Sequence, residues 1–457
     1  MADYALLIPE LLLVLGALCA IFAELLPGGD RGSAWIGAAL SAGAATAAMI
    51  MPATTAGPFG GLLAFDGPGR FARVAIALLT TVWMLWSAGR AEGRMREAVA
   101  LVLFSAVGCM FVAEARELVT LLLALELATM PVYVLVGYRR EDVRALEGAI
   151  KYFLLSMLTT LVMLYGFSFL FGITGTTRYG GMDLRAAGAL GLLAVLLSLV
   201  GLFAKLSAAP FHYWAPDAYA GATPWAVAYI STVPKVAGAV AAVRFVAAVA
   251  PGMPQIGTVL AVVAFASIVL GNLAAITQPD VRRLMAYSGV AHAGYLLMGI
   301  AALSKTGFTA AVLYSVAYAL PSMGVMLVAA EEGSRVDDFS GLSQRRPATS
   351  WGVVLLLLSL IGVPPMIGFF GKFNLLIAAQ QAGLTVLVVT AVIASVVSAG
   401  YYLRIVRAMF FADALSSARG LKASVPAALA FGFAVIATLA AGLAAGPVLG
   451  AIGTFLN

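Results

Sequence analysis

Four ionisable side chains, Glu126, Lys205, Lys235 and Lys372, fall deep inside apolar stretches of the sequence. A lysine or carboxylate at the middle of a membrane costs several kcal/mol, so it persists mainly where it faces protein or a wet cavity. Burial pushes a lysine pKa down and a carboxylate pKa up, and an opposite charge nearby reverses both shifts. A Lys–Glu pair in such a place therefore has two states. Together, both groups stay charged; apart, the lysine tends to release its proton. That is chemistry for moving protons, and lysine suits it because its pKa moves readily whereas arginine stays protonated. The competing reading is that such charges only hold helices together or snorkel to an interface. It competes evenly at Lys151, about one turn from a charged loop, and wins at Arg244, near a helix end.

The elements that must hold these groups are membrane helices. Of 457 residues, 62% are hydrophobic and only 11% charged, with a mean hydropathy of +1.02. A soluble domain of this length would need far more charge to cover its surface. Apolar runs of about 20 residues, enough to cross roughly 30 Å of hydrocarbon, recur throughout. The first, from about Ala5 to Leu26, lacks a basic lead-in and a small-residue cleavage site, and reads as a retained helix. Cys19 and Cys109 both sit in apolar runs and form no CxxC pair, which argues against a disulfide framework, an iron–sulfur site or a structural zinc. No phosphate-binding or dinucleotide-binding glycine motif is present. The net charge is +6, and its arrangement says more than its size.

The apolar runs and the Gly, Pro and charge punctuation predict an all-α polytopic bundle of about fourteen transmembrane helices in a single membrane domain, 1–457. The expected spans are 4–26, 33–53, 70–89, 96–114, 117–137, 147–171, 187–209, 223–249, 256–276, 283–303, 307–331, 348–379, 384–411 and 423–451. With this count, the side reached after the first helix collects Arg31, Arg90, Arg94, Arg96, Arg139, Arg140, Arg144, Arg282, Arg283, Arg335, Arg345, Arg346, Arg404, Arg407, Arg419 and Lys422. The opposite side has Arg70, Arg73, Arg116, Arg178, Arg185 and Lys305. The richer side should be cytoplasmic, with both termini on the other face. Glu10, Glu24 and Glu114, near helix ends, are expected to be solvated or interfacial.

Two of the deep lysines stand beside helix breakers: Lys205 precedes Pro210, and Lys372 follows Pro364 and Pro365. Proline frees a carbonyl, which membrane depth tolerates only near protein or water. The breaks fall in the seventh and twelfth helices, five apart, which points to two inverted five-helix repeats with ion sites between them. Residues 4–114 hold helices 1–4, with the fourth entering a first repeat over 96–249. A second repeat covers 256–411, and 423–451 is the C-terminal helix. His212, after the first break, and His292, in the tenth helix, could each pass protons or serve only in packing.

Short blocks in order along 110–410 resemble subunit N of bacterial respiratory complex I. They are Leu125–Tyr133, Glu147–Phe153, Gly201–Lys205 with Pro210–Tyr219, Ser231–Lys235, Arg283–Ser288, Ala291–Tyr295 and Leu358–Phe373. The resemblance implies a fourteen-helix subunit related to cation/proton antiporters, in which Glu126, Lys205, Lys235 and Lys372 form the proton route. Glu126 and Lys205 would then be the pair whose separation tunes the lysine. Lys235 would relay centrally and Lys372 would exchange with the far side, with Lys151, His212 and His292 as further candidate relays. It also implies a bacterial inner-membrane location and no cofactor in this chain. NAD, FMN, iron–sulfur clusters and quinone would belong to partner subunits, neighbouring antiporter-like subunits among them; no nucleic acid is implied.

The chain departs from the family pattern at Arg282–Arg283, where Lys-Arg is common, at Ser288–Gly289–Val290, and at Thr223–Pro224. None touches the four main charges. A subunit of a multi-subunit Na+/H+ antiporter or of a related membrane hydrogenase is the nearest alternative. The lysine on the twelfth helix in its Gly371–Lys372–Phe373 setting favours subunit N. A spacer that transmits movement without pumping is the more distant one.

Overall fold

The computed structural model describes residues 2–23, 29–54, 59–90, 95–414 and 424–453. Glu24, Arg94, Arg419 and Lys422 lie outside the described residues, as do Pro27 and Gly28 of the first expected turn. Among the described residues there are no β-strands, only isolated bridges between loops.

After a short turn at Ala2–Ala5, the helices are α1 (Ile8–Ile21), α2 (Gly29–Ile50), α3 (Gly67–Ala88), α4 (Met95–Glu114), α5 (Leu118–Val136) and α6 (Val143–Thr174). Two interrupted helices follow: α7a (Gly188–Leu206) with α7b (Trp214–Gly221), and α8a (Pro224–Ile230) with α8b (Val233–Val249). Then come α9 (Ile256–Ile276), α10 (Val281–Ala301) and α11 (Lys305–Glu332). The last are α12a (Pro347–Ile361) with α12b (Ile367–Gln381), α13 (Thr385–Phe411) and α14 (Val425–Leu443), which a short helix at Ala445–Gly453 follows. A helix or helix pair thus occupies each expected span. Twelve of the described helices, with α8a and α8b taken together, are long and apolar enough to cross a membrane. The exceptions are α1, with 14 residues, and α12, which is split.

Short polar side chains set several starts, because the first N–H groups of a helix have no partner within it. Asp66 accepts from the Gly69 N–H, Asp142 from Arg144, Asp280 from Arg282 and Ser304 from Gly307. The cap at Asp142 explains why α6 begins four residues before the expected start.

The apolar stretch of α11 is wholly buried and that of α10 nearly so, whereas only about a third of those of α13 and α14 is buried. The centre of the bundle is therefore α10 and α11, packed against α8 and α12. Glycines set the closest approaches, as is usual where no water drives helices together. A Cβ at Gly108 would collide with the backbone of Ala128, joining α4 to α5, and one at Gly271 would meet Ala291, joining α9 to α10.

One expectation fails here. Glu10 and Glu114 are not solvated; both are buried, and both hold Arg73, counted above as a flanking charge. The Arg73 guanidinium donates to both oxygens of Glu10, at 2.8 and 2.7 Å, and to the Leu6 carbonyl at 2.6 Å. Its Nε lies 2.7 Å from Glu114 Oε1. Beside it, Arg244 binds Asp66 through Nη1 at 2.7 Å and the Ala113 carbonyl through Nε at 2.6 Å. These arginines tie α1, α3, α4 and α8b together, the structural role expected of Arg244. Proximity to a helix end misled the reading of Glu10 and Glu114, since the 59–66 segment and α1 cover that end.

Removing one partner of a buried ion pair leaves an uncompensated charge, at about 3–5 kcal/mol. Arg73→Met should lower the thermal stability of the assembled protein by that amount, measured as its unfolding midpoint in detergent. A change below about 1 kcal/mol would show the cluster to be dispensable.

Candidate functional site

The three deep lysines all sit at helix interruptions. Lys205 is in the last turn of α7a, which ends at Ser207 in a left-handed conformation (φ 60°). The segment through Pro210 then leads to α7b. Its polar backbone is satisfied from outside: Trp214 Nε1 donates to the Ala204 carbonyl at 2.9 Å, and the Ala209 N–H donates to Ser267 Oγ of α9 at 2.9 Å. Lys372 follows the second break, which begins at Gly362 (φ 97°) and contains Pro364 and Pro365. The third interruption, at Ser231–Thr232, was not foreseen. Thr232 Oγ1 bonds back to the Ala228 carbonyl at 2.6 Å, Pro234 has no N–H, and Lys235 is the third residue of the helix that restarts there.

Each lysine head meets oxygen or aromatic faces rather than a carboxylate. Lys205 Nζ donates to Ser156 Oγ of α6 at 2.7 Å and to Thr129 Oγ1 of α5 at 3.3 Å. Tyr133 donates to the same Ser156 oxygen at 2.8 Å. Lys372 Nζ donates to the Leu360 and Ile361 carbonyls, both at 2.9 Å, and to Ser395 Oγ at 3.3 Å. Those carbonyls close α12a and are free because the helix stops there. The Tyr295 ring lies 4.6 Å beneath the ammonium. Lys235 Nζ has no hydrogen-bond partner and lies 5.3 Å from the centre of the Tyr318 ring. It borders a cavity of about 20 Å3 lined by Leu206, Gly289, His292, Tyr314 and Tyr318, room for one water molecule.

The remaining charges fall around this row. Glu126 accepts from Thr160 Oγ1 at 3.1 Å, and its other oxygen is buried without a partner. It makes no ion pair with Lys205; the hydroxyls of Thr129, Ser156 and Thr160 stand between them. His292 joins the Lys235 cavity to the next helices: Nδ1 is 2.7 Å from the Tyr314 hydroxyl and Nε2 is 3.4 Å from that of Tyr402. Tyr402 continues to Ser288, and Tyr295 lies 3.2 Å from Ser395 on the lysine side. Glu126, Lys205, Lys235, His292 and Lys372 thus lie along one buried strip, polar around Glu126 and Lys205 and around His292 and Lys372, with Leu206, next to Lys205, lining the Lys235 cavity between the two parts.

Two candidates stand apart from it. Lys151 is 44% exposed and pairs with Glu147 at 2.7 Å and Asp217 at 2.9 Å. It lines a separate charged cavity of about 330 Å3 with Arg144, Asp280, Arg282 and Arg283. His212 lies in the α7 break, its ring tilted 31° against that of Tyr213 with centres 4.6 Å apart, and its Nδ1 has no partner among the described residues. The hydroxyls were missed by a reading that looked only for charge. They did leave a signal, since Thr129 and Tyr133, Ser156 and Thr160, and Tyr314 and Tyr318 recur four residues apart on α5, α6 and α11. Among the described residues no three His, Cys, Asp or Glu side chains group to hold a metal.

The fold and this strip define an antiporter-like membrane subunit, and the comparisons agree. Residues 115–398 match the family model for the membrane part of NADH:quinone oxidoreductase and Mrp antiporters. NADH-quinone oxidoreductase subunit N of Rhodospirillum rubrum is 36% identical over 405 residues, covering 85% of this chain and 83% of the relative. A chain of respiratory complex I from Thermus thermophilus, solved with bound aureothin, superposes with a TM-score of 0.84 at 31% identity, covering 98% of this chain and all of the other. The Mrp complex of Dietzia contains a chain of the same fold, with a TM-score of 0.85 at 20% identity and 99% and 96% coverage. The chain belongs to the family of NADH-quinone oxidoreductase subunit N, a multi-pass membrane protein family.

A Cβ at Gly289 would stand 2.5 Å from Lys235 Nζ and 2.9 Å from the Tyr318 hydroxyl. Gly289→Ala should therefore leave the bundle assembled, because the flexible lysine end can yield, yet push the ammonium off the ring. The expected result is normal assembly with proton translocation reduced about tenfold or more, as for loss of a positioned proton-transfer group. Wild-type translocation would show that the head position at Lys235 is unimportant.

Proposed function

We propose that this chain carries protons across a bacterial inner membrane as a membrane-arm subunit of an NADH:quinone oxidoreductase. The carrying observation is the buried strip from Glu126 through Lys205, Lys235 and His292 to Lys372. Hydroxyls meet Glu126, Lys205, His292 and Lys372, the Lys235 head borders a cavity shared with His292, and among the described residues none of the three lysines is paired with a carboxylate. Electron transfer from NADH to quinone, with FMN and iron–sulfur clusters, belongs to partner subunits. Neighbouring antiporter-like subunits would flank this one, and the strip would receive its driving force as a change in their contacts or charge.

Glu126 controls Lys205 by distance. When a shift of α5 against α6 brings the carboxylate to the ammonium, the lysine holds its proton; when hydroxyls part them, the proton is free to leave toward Lys235. The cavity at Lys235, with room for one water, and the His292 ring then offer stations toward Lys372. Lysine serves because it can be neutral, while the arginines of the α1–α3–α4 cluster stay charged.

Fourteen crossings, both termini outside the cytoplasm, and repeats over α4–α8 and α9–α13 complete the proposal. The basic excess on one face supports the orientation. The repeats are supported by breaks at α7 and α12 that both begin at a left-handed residue, Ser207 and Gly362. Lys205 precedes its break and Lys372 follows its own, so the two halves place their lysines differently.

Proton movement by sealed vesicles carrying Lys205→Ala in the intact complex tests the function. Translocation per electron should fall about tenfold or more at matched assembly. An unchanged ratio would make Lys205 structural and the chain a spacer.

A further inference from the structure

The helix ends opposite the Arg73 cluster hold a second built feature. The last turns of α3 and α11 and the first turns of α12a and α14 enclose a groove of about 550 Å3, within the range of roughly 300–1,000 Å3 typical of ligand sites. Its walls are apolar, with Val328, Leu355, Phe431 and Val435 among them, and Trp86, Arg346, Thr349 and Glu331, the last paired with arginines, line it with polar groups. A Cβ at Gly352 would lie 2.6 Å from the Phe431 ring, so α12a and α14 meet there, while nothing lies within 4 Å of one at Gly432. Trp351, also lining the groove, is 61% exposed.

Among the described residues, arginines outnumber carboxylates beside this groove. Arg90 pairs with Glu331 at 2.7 Å, Arg346 with Glu331 and Glu332 at 2.6 and 2.8 Å, and Arg345 with Glu332 at 3.0 Å. Among the described residues three guanidinium groups thus meet two carboxylates, and of these five Arg346 and Glu331 line the groove itself. Among the described residues several donors near it are buried with no acceptor: Trp86 Nε1, which lines the groove, and Arg90 Nε with Nε and Nη2 of Arg345 behind its wall. The Trp86 side chain is only 2% exposed and its indole faces the groove. Such donors cost free energy until an acceptor reaches them. The start of α12a adds further N–H groups at Ala348 and Thr349, on the positive end of a 15-residue helix.

An occupant must bring a compact anionic acceptor and a long apolar tail, in a protein surrounded by lipid. We propose that this groove binds an anionic phospholipid, with its phosphate at the Trp86 indole, Arg346 and the start of α12a. One acyl chain lies between α12a and α14. The strip of buried lysines is not involved, so the site holds or tunes the packing of α12a rather than carrying protons.

Native mass spectrometry of the intact complex, delipidated and then titrated with phosphatidylglycerol or phosphatidylcholine, tests this. Gly432→Trp fills the groove without touching the arginines, and Trp86→Phe removes the indole donor. Wild type should bind one phosphatidylglycerol more than Gly432→Trp, Trp86→Phe should need about tenfold more lipid for the same occupancy, and phosphatidylcholine should not substitute. The proposal is overturned by equal binding in wild type and Gly432→Trp, by equal binding of the two lipids, or by Ala428→Cys cross-linking to a neighbouring subunit's segment across the groove. If Gly432→Trp does not assemble, unchanged affinity in Trp86→Phe decides against it.

Discussion

Everything in this bundle depends on how an ammonium ion is kept among apolar helices without a counter-ion. Water is scarce there, and an uncompensated charge costs several kcal/mol. The protein answers with neutral oxygen. Broken helices release carbonyls, as Leu360 and Ile361 do for Lys372, and hydroxyls on neighbouring helices supply the rest, as Ser156 and Thr129 do for Lys205. Neutral acceptors hold the charged lysine less firmly than a carboxylate would, so the neutral lysine stays within reach. The interruptions and the lysines therefore belong to one device.

The Arg73 cluster shows the opposite choice. There a permanently charged side chain meets two carboxylates, and nothing in the arrangement favours exchange. It fastens α1, α3 and α4, leaving α5 to α13 to form the strip. Buried charge in this fold thus divides by residue type: arginine with carboxylates where helices are fixed, lysine with hydroxyls, carbonyls and rings where helices are interrupted.

Much of this was legible in the sequence, because a membrane makes hydrophobic runs and isolated charges unusually informative. Helix positions came from run length, and Lys205, Lys235 and Lys372 from being the lysines left deep inside runs. The breaks at α7 and α12 were marked by Pro210, Pro364 and Pro365. The break at Ser231–Thr232 was not read, because Pro234 near a helix start looks like ordinary helix punctuation. Glu10, Arg73 and Glu114 were misjudged since distance along a helix does not report what a loop or another helix lays over its end. The hydroxyl links went unread because a lone Ser, Thr or Tyr in a membrane helix is common, and only packing shows which ones meet a lysine.

The sharpest test separates carrying a proton from carrying a charge. Lys372→Arg keeps a positive group beside the Leu360 and Ile361 carbonyls but one that does not release its proton, whereas Lys372→Met removes both. Proton-to-electron ratio in sealed vesicles, at matched assembly, is the quantity to measure. Lys372 as a proton carrier predicts that both variants lose translocation alike. Retained translocation in Lys372→Arg, with loss only in Lys372→Met, would contradict it and make the lysine a fixed charge.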